Sequence, residues 1–188
     1  MIKACYSDKA FITRILVDSF YENSSVNFII KQDKNKMKRI KGLMDYSFDL
    51  CFHFGEIFYS EDRKGCALIL FPDKKRLLPS TLLDLKFIFS SLDFTHLKLA
   101  MIRESKIKKL QYPGLTYYLW FIGIDPAEQG KGIGSQLLRE VISDSCGSGR
   151  QILLETSNVQ NVKWYRKFGF EVYNKLDLGY LLYFMKRG

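Results

Sequence analysis

Histidine and cysteine are scarce, which limits what they can do. His53 and His96 are the two histidines, and Cys5, Cys51, Cys66 and Cys146 lie far apart with no Cys-x-x-Cys pair. A zinc centre draws on clustered His and Cys at short spacings, so no metal is expected. The cysteine spacing suggests no disulfide framework either, and isolated thiols fit a reducing cytosol. Long apolar runs are missing too. The opening "MIKACYSDKAF" has no signal-peptide core, and the longest largely apolar run, around 115–124, is too short to cross a bilayer. With no linker, low-complexity tract or internal repeat, the 188 residues read as one cytoplasmic domain, 1–188, without a membrane partner.

What is present is basic and aromatic. The 29 Lys and Arg against 20 Asp and Glu give a formal net charge of +9, and there are 11 Tyr and 15 Phe. The densest basic stretches, "KQDKNKMKRIK" (31–41) and "RESKIKKL" (103–110), read as solvent faces of helices. They carry no nucleic-acid motif and no interleaved aromatics, which disfavours a nucleic-acid partner. A basic surface also steers an anionic cofactor.

Strand-like and helix-like patterns alternate along the chain. "IKACY" reads as a strand, with Asp8 capping a helix whose Phe11, Ile12, Ile15, Leu16 and Phe20 share a face. A second helix is expected over 35–54. "EIFYSEDRKGCALILFP" reads as two strands joined at Asp62–Gly65, and "TLLDLKFIFSSL" and 94–110 as helices. "LTYYLWFIGI" is apolar throughout, as a central strand would be. A helix then carries Ile133, Leu137, Leu138, Val141 and Ile142, and a strand follows at "RQILLET". "NVKWYRKF" is a short helix with Asn161 as N-cap and Gly169 just past its end. The tail reads as a terminal strand pair with a longer connection, able to offer an edge for a homodimer. The class is α/β (α+β) around a mixed sheet.

The segment with the clearest chemistry is "WFIGIDPAEQGKGIGSQLL" (120–138), a strand, an Asp125-Pro126 turn, a glycine loop and a helix start. Gly130, Gly132 and Gly134 form G-x-G-x-G, which is not the G-x-G-x-x-G of a dinucleotide fold. Position 125 is Asp, so the P-loop pattern fails as well. Two readings remain: a tight strand-to-helix turn, or a loop whose amides converge on an anion.

The run Gln129-Gly-Lys-Gly132-Ile-Gly134 resembles the Q/R-x-x-G-x-G/A segment of the GNAT acyl-CoA N-acyltransferases. The stretch "LETSNVQNVKWYRKFGF" (154–170) is similar to that family's next strand and helix, ending in Y-x-x-x-G-F at Tyr165, Gly169 and Phe170. The wording is nearest to the puromycin N-acetyltransferase-like branch. The match covers roughly 115–170, and nothing in the first 110 residues matches. It implies a GNAT-like fold with a mixed sheet of about six to seven strands flanked by helices, and a helical insertion at about 79–110.

The resemblance further implies acetyl-CoA as cosubstrate. Its pyrophosphate would lie on Gln129, Gly130, Lys131, Gly132, Ile133, Gly134 and Ser135. The pantetheine arm would lie along Phe121, Ile122, Gly123 and Ile124, with Asn158 or Asn161 assisting. The reaction implied is direct attack of a primary amine on the thioester in a ternary complex. A backbone N–H near Ile122–Ile124 would stabilise the oxyanion. Tyr165 would protonate the leaving sulfur, since a phenol titrates near ~10 and a thiol near ~8.5.

The base is the open position, because the central strand carries no glutamate. Glu155 is the best placed by motif, with Glu104, Glu56 and Asp45 remote. The helical insertion and residues 20–54, with Phe20, Tyr21, Phe52, Phe54, Phe87 and Phe89, are expected either to wall the site of a small amine acceptor or to belong to the core. A non-catalytic acyl-CoA-binding module and a nucleic-acid-binding protein are the alternatives.

Overall fold

The apolar runs become the strands of one sheet. The computed structural model describes residues 1–75 and 94–188, and the elements below are those of the described residues. The strands are β1 (Ile2–Lys3), β2 (Gly55–Tyr59), β3 (Gly65–Leu70), β4 (Thr116–Ile124), β5 (Gln151–Thr156), β6 (Glu171–Asp177) and β7 (Leu181–Arg187), in the order β1-β2-β3-β4-β5-β7-β6. The helices are α1 (Lys9–Phe20), α2 (Ser24–Ile29), α3 (Lys36–Phe54), α4 (Phe94–Lys108), α5 (Ile133–Cys146) and α6 (Val159–Arg166). This is the expected mixed sheet flanked by helices. β4 lies at its centre, and β4 and β5 form its parallel pair, with α5 as the crossover a parallel pair requires.

Alternation along the strands assigns the helices to faces. Tyr117 and Leu119 of β4, Ile152 and Leu154 of β5 and Met185 of β7 pack with Leu137, Leu138 and Val141 of α5 and Val162 and Tyr165 of α6. The other face carries α1 and α3 over β2, β3 and Phe121. It also carries α4, whose Ile107 packs on Leu182 and Phe184 of β7.

Several local expectations need correction. Asp8 does not cap α1 with its side chain. Its carboxylate accepts from the Cys5 N–H at 2.9 Å and closes the preceding 3-10 turn, Tyr6–Asp8. The strand expected at 2–6 is only Ile2–Lys3, because that turn begins at Tyr6. α2 was not expected. Asn23 starts it by accepting from the N–H groups of Ser25 and Val26. The β6–β7 connection is short, Leu178–Tyr180, with Gly179 at φ 85°. The helix expected at "TLLDLKFIFSSL" lies outside the described residues, as do Phe87 and Phe89.

The stretch 31–41 behaves as a solvent face with local ion pairs, Arg39–Asp33 at 3.3 Å and Lys41–Asp45 at 2.6 Å. Among the described residues no helix is long and apolar enough to cross a membrane. None of the His, Cys, Asp and Glu among them form a group of three or more placed to hold a metal ion.

Candidate active site

β4 outruns its parallel neighbour. Pairing with β5 runs from Thr116↔Gln151 to Leu119↔Leu154 and stops, while pairing with β3 continues to Ile124↔Gly65. Residues 120–124 therefore border a gap instead of a strand. The register slips at Trp120, because Leu119 faces Ile69 and Phe121 faces Leu68. This β-bulge puts Trp120 and Phe121 on the same face, Trp120 against Tyr46 and Phe121 against Phe20.

Peptide directions beyond the bulge follow from their partners. The Asp125 N–H donates to the Lys64 carbonyl at 2.8 Å, and the Gly123 N–H is directed at Cys66 on β3. Amides alternate along a strand, so Ile122 and Ile124 turn theirs toward the gap. The Ile124 carbonyl already accepts from Ser19 Oγ at 2.7 Å and Gln129 Nε2 at 3.2 Å. Gly123 lets α1 come this close, since a Cβ there would lie 3.1 Å from Leu16 and 3.2 Å from Ser19 Oγ.

Three glycines build the start of α5 in two ways. Gly130 and Gly132 have φ of 81° and 89°, and a Cβ on either would meet nothing within 4 Å, so backbone conformation selects them. At Gly134 the need is space, with a Cβ falling 3.3 Å from Ile124. Gly132 caps α5 with no side-chain bond, and the helix ladder begins at Gln136 N–H to Gly132 C=O, 3.0 Å. The N–H groups of Ile133, Gly134 and Ser135 thus precede the ladder at the positive end of the helix dipole. This is a donor set that fits a diphosphate.

The polar side chains of the loop are committed locally. Lys131 pairs with Glu128 at 2.8 Å, Ser135 Oγ accepts from Trp164 Nε1 at 3.2 Å, and Arg139 lies over the Phe168 ring. What this loop can offer an anion is therefore backbone amides more than side-chain charge. Gly132→Ala is expected to cost about 1–2 kcal/mol for the left-handed conformation. Calorimetric titration with coenzyme A should read it as weaker binding, and unchanged affinity would count against the loop as the phosphate cradle.

On α6, Tyr165 is buried between Trp164 and Phe170, and burial pushes its phenol well above the ordinary value. Asn158, not Asn161, is the N-cap. Its Oδ1 accepts from the Gln160 N–H at 2.8 Å, while Asn161 is exposed inside the helix. Asn158→Ala is expected to lower stability by about 1 kcal/mol and Asn161→Ala by a few tenths at most, read by urea denaturation. Gly169, at φ 81°, stands two residues past the helix C-cap Lys167.

Glu155 faces away from Tyr165. Leu154 packs with α5 and α6, so Glu155 projects to the opposite face, directly across from Phe184. Tyr118 of β4 faces the same way, close enough that its hydroxyl and the Glu155 carboxyl shift one another's pKa. Burial pushes the Glu155 carboxyl up to about 7, Glu104 raising it further and Arg103 and Tyr118 opposing. Tyr173, also near this carboxylate, is pushed up to about 12, mainly by burial.

Of the remote acids, only Glu104 comes close. Glu56 pairs with Lys3 at 2.8 Å, and Asp45 with Lys41. Phe20 and Tyr21 pack against the α1–α3 core and Phe54 is buried, so these three belong to the core side, while Phe52 stacks on Phe48 but stays exposed. Arg103, expected on a solvent face, instead points inward. Its side chain is only 14% exposed. The spacing Arg103, Ile107, Leu110, one helical face, is the signal that places it inward.

A family model described as an acetyltransferase (GNAT) domain matches residues 100–172. Among curated proteins, the chain is 39% identical over 59 residues to the N-alpha-acetyltransferase RimI of Mycobacterium tuberculosis, across 31% of this chain and 37% of that protein. It is 36% identical over 70 residues to a mycothiol acetyltransferase of Mycolicibacterium gilvum, across 33% of this chain and 23% of that protein. The matched region thus spans well under half the length of these relatives. A solved Corynebacterium glutamicum structure, described as histone acetyltransferase HPA2 and related acetyltransferase, superposes with a TM-score of 0.72 at 18% identity over 99% of this chain and 94% of that one. These matches are to the superfamily and do not select the puromycin branch.

Proposed function

The chain carries a GNAT acetyltransferase domain, and from that premise we propose that it transfers an acetyl group from acetyl-CoA to a primary amine of a small molecule. The observation that carries this is the parting of β4 from β5 beyond Leu119 and Leu154, ending at the start of α5, which no side chain caps. An extended pantetheine arm fits beside Phe121–Ile124, where the amides of Ile122 and Ile124 are unclaimed by β3. The diphosphate fits the amides of Gly130–Ser135.

Acetyl-CoA supplies the activated acyl group. The residues supply the rest. One of the gap-facing amides, Ile122 or Ile124, donates to the acyl oxygen as negative charge develops there. Tyr165 donates its phenol hydrogen toward the sulfur. Burial keeps the hydroxyl protonated at neutral pH, and because it also makes the phenol a weaker acid than a thiol, its contribution is a hydrogen bond to the sulfur as negative charge builds there, the released thiolate taking its proton from water. Glu155 accepts a proton from the amine on the other face. Asn158 shapes the start of α6 and so the approach to Tyr165.

The reading takes residues 1–188 as one domain, with α4 on the acceptor side. An assay of thiol release across a panel of amines tests it, run beside direct measurement of coenzyme A binding. Binding without release for any amine would favour an acyl-CoA-binding module. Steeply salt-dependent binding of generic DNA with no coenzyme A affinity would favour a nucleic-acid role.

A further inference from the structure

Arg103 is unusually well connected for a residue in a lysine-rich stretch. Its Nη2 donates to Ser25 Oγ of α2 at 2.8 Å, its Nε to the Tyr180 hydroxyl of the β6–β7 turn at 3.3 Å, and its Nη1 to Glu104 at 2.6 Å. The same Nη2 stands 3.9 Å from Glu155 Oε2. Tyr180 hydroxyl and Ser25 Oγ are themselves 3.3 Å apart, and Phe28 packs edge-on against Tyr180. One guanidinium therefore ties α2, α4 and the β6–β7 turn into a collar beside Glu155.

Resting on the acyl-transfer reading, we propose that Arg103 is the positioning residue of the acceptor side, acting with Glu104 as an opposed charge pair on Glu155. The geometry is specific. At 3.9 Å the guanidinium attracts the carboxylate without a hydrogen bond. A carboxylate gripped in a bidentate fork stays charged but is a poor proton acceptor. A buried carboxylate with no cation nearby stays protonated. Arg103 spends its short bonds on Ser25, Tyr180 and Glu104, and so leaves Glu155 between these extremes. Among the described residues, the groups acting on Glu155 are Arg103 and Glu104 from α4, Tyr118 from β4 and Tyr173 from β6. Glu104, with a side chain 56% exposed, pairs with Arg103 and opposes its effect on Glu155.

The test follows the Glu155 carboxyl by 13C NMR titration of the full chain, assigned with Glu155→Gln, and the acid limb of kcat/KM for an accepted amine. Arg103→Met should raise the Glu155 midpoint by about one pH unit. Glu104→Gln should lower it. The acid limb should move with the midpoint in each case, in opposite directions. Arg103→Lys keeps the charge but cannot hold Ser25 and Tyr180 together. It should give a smaller rise, and it stands in if the Met variant does not fold. Midpoints that stay put in folded Lys and Gln variants, or that move the same way, overturn the proposal. Midpoints that move as stated while no amine speeds thiol release would leave the charge pair intact and defeat the acyl-transfer reading instead.

Discussion

On the acyl-transfer reading, Tyr165→Phe is expected to lower acetyl transfer by about 10²–10⁴-fold, the range of a positioned general acid, and to leave coenzyme A affinity unchanged. The substitution removes one oxygen from a ring that is otherwise held by Trp164 and Phe170, so packing is kept. The loss should lie in kcat, because the hydroxyl acts only as the sulfur leaves. It should shrink for thioesters with more acidic thiols, whose thiolates need less help. Full-rate thiol release in the Phe variant, with a true acceptor present, would take Tyr165 out of the chemistry and leave it a packing residue.

Glu155→Gln carries the second large effect. A base must be ionised, so wild-type kcat/KM should climb as pH rises through about 7, where burial has placed this carboxyl. The Gln variant should lose about 10²–10⁴-fold above that pH and show no such limb. Stability should move the other way. A carboxyl whose folded pKa lies above its unfolded value stabilises the fold fully below the unfolded value and ceases to do so as pH rises through the folded one. Above pH ~7 the folded chain holds an ionised, buried carboxylate that Gln spares it. The variant should therefore be slower yet no less stable there, judged by denaturation at pH 8. A variant that is both slow and unstable would mark Glu155 as structural.

The glycine loop and the helix start behind it were legible in the sequence, because left-handed backbone at a helix start needs glycines at fixed positions, and glycines can be read. The central position of β4 was legible from its unbroken apolar run. The gap was not. Parting of two strands is a matter of register, and no residue type announces where a parallel pairing ends. Asn158 and Asn161 show a second limit, since either could cap a helix whose start is uncertain by a turn. Arg103 shows a third. Charge counting across "RESKIKKL" averaged over a helix whose inner face carries Arg103 and Ile107, and buried polar contacts depend on distant partners such as Ser25 and Tyr180.

The slip at Trp120 has a consequence for which faces one strand can present along its length. By strict alternation Tyr118 and Ile122, four residues apart, would look the same way. The extra residue reverses the parity between them. Tyr118 meets Glu155 on one side, while Ile122 joins the packing beneath α5 on the other. β4 is thus a two-sided rail with a half-twist at its midpoint. Excising Trp120 would turn one end over with respect to the other, and no change of side chains alone would restore both.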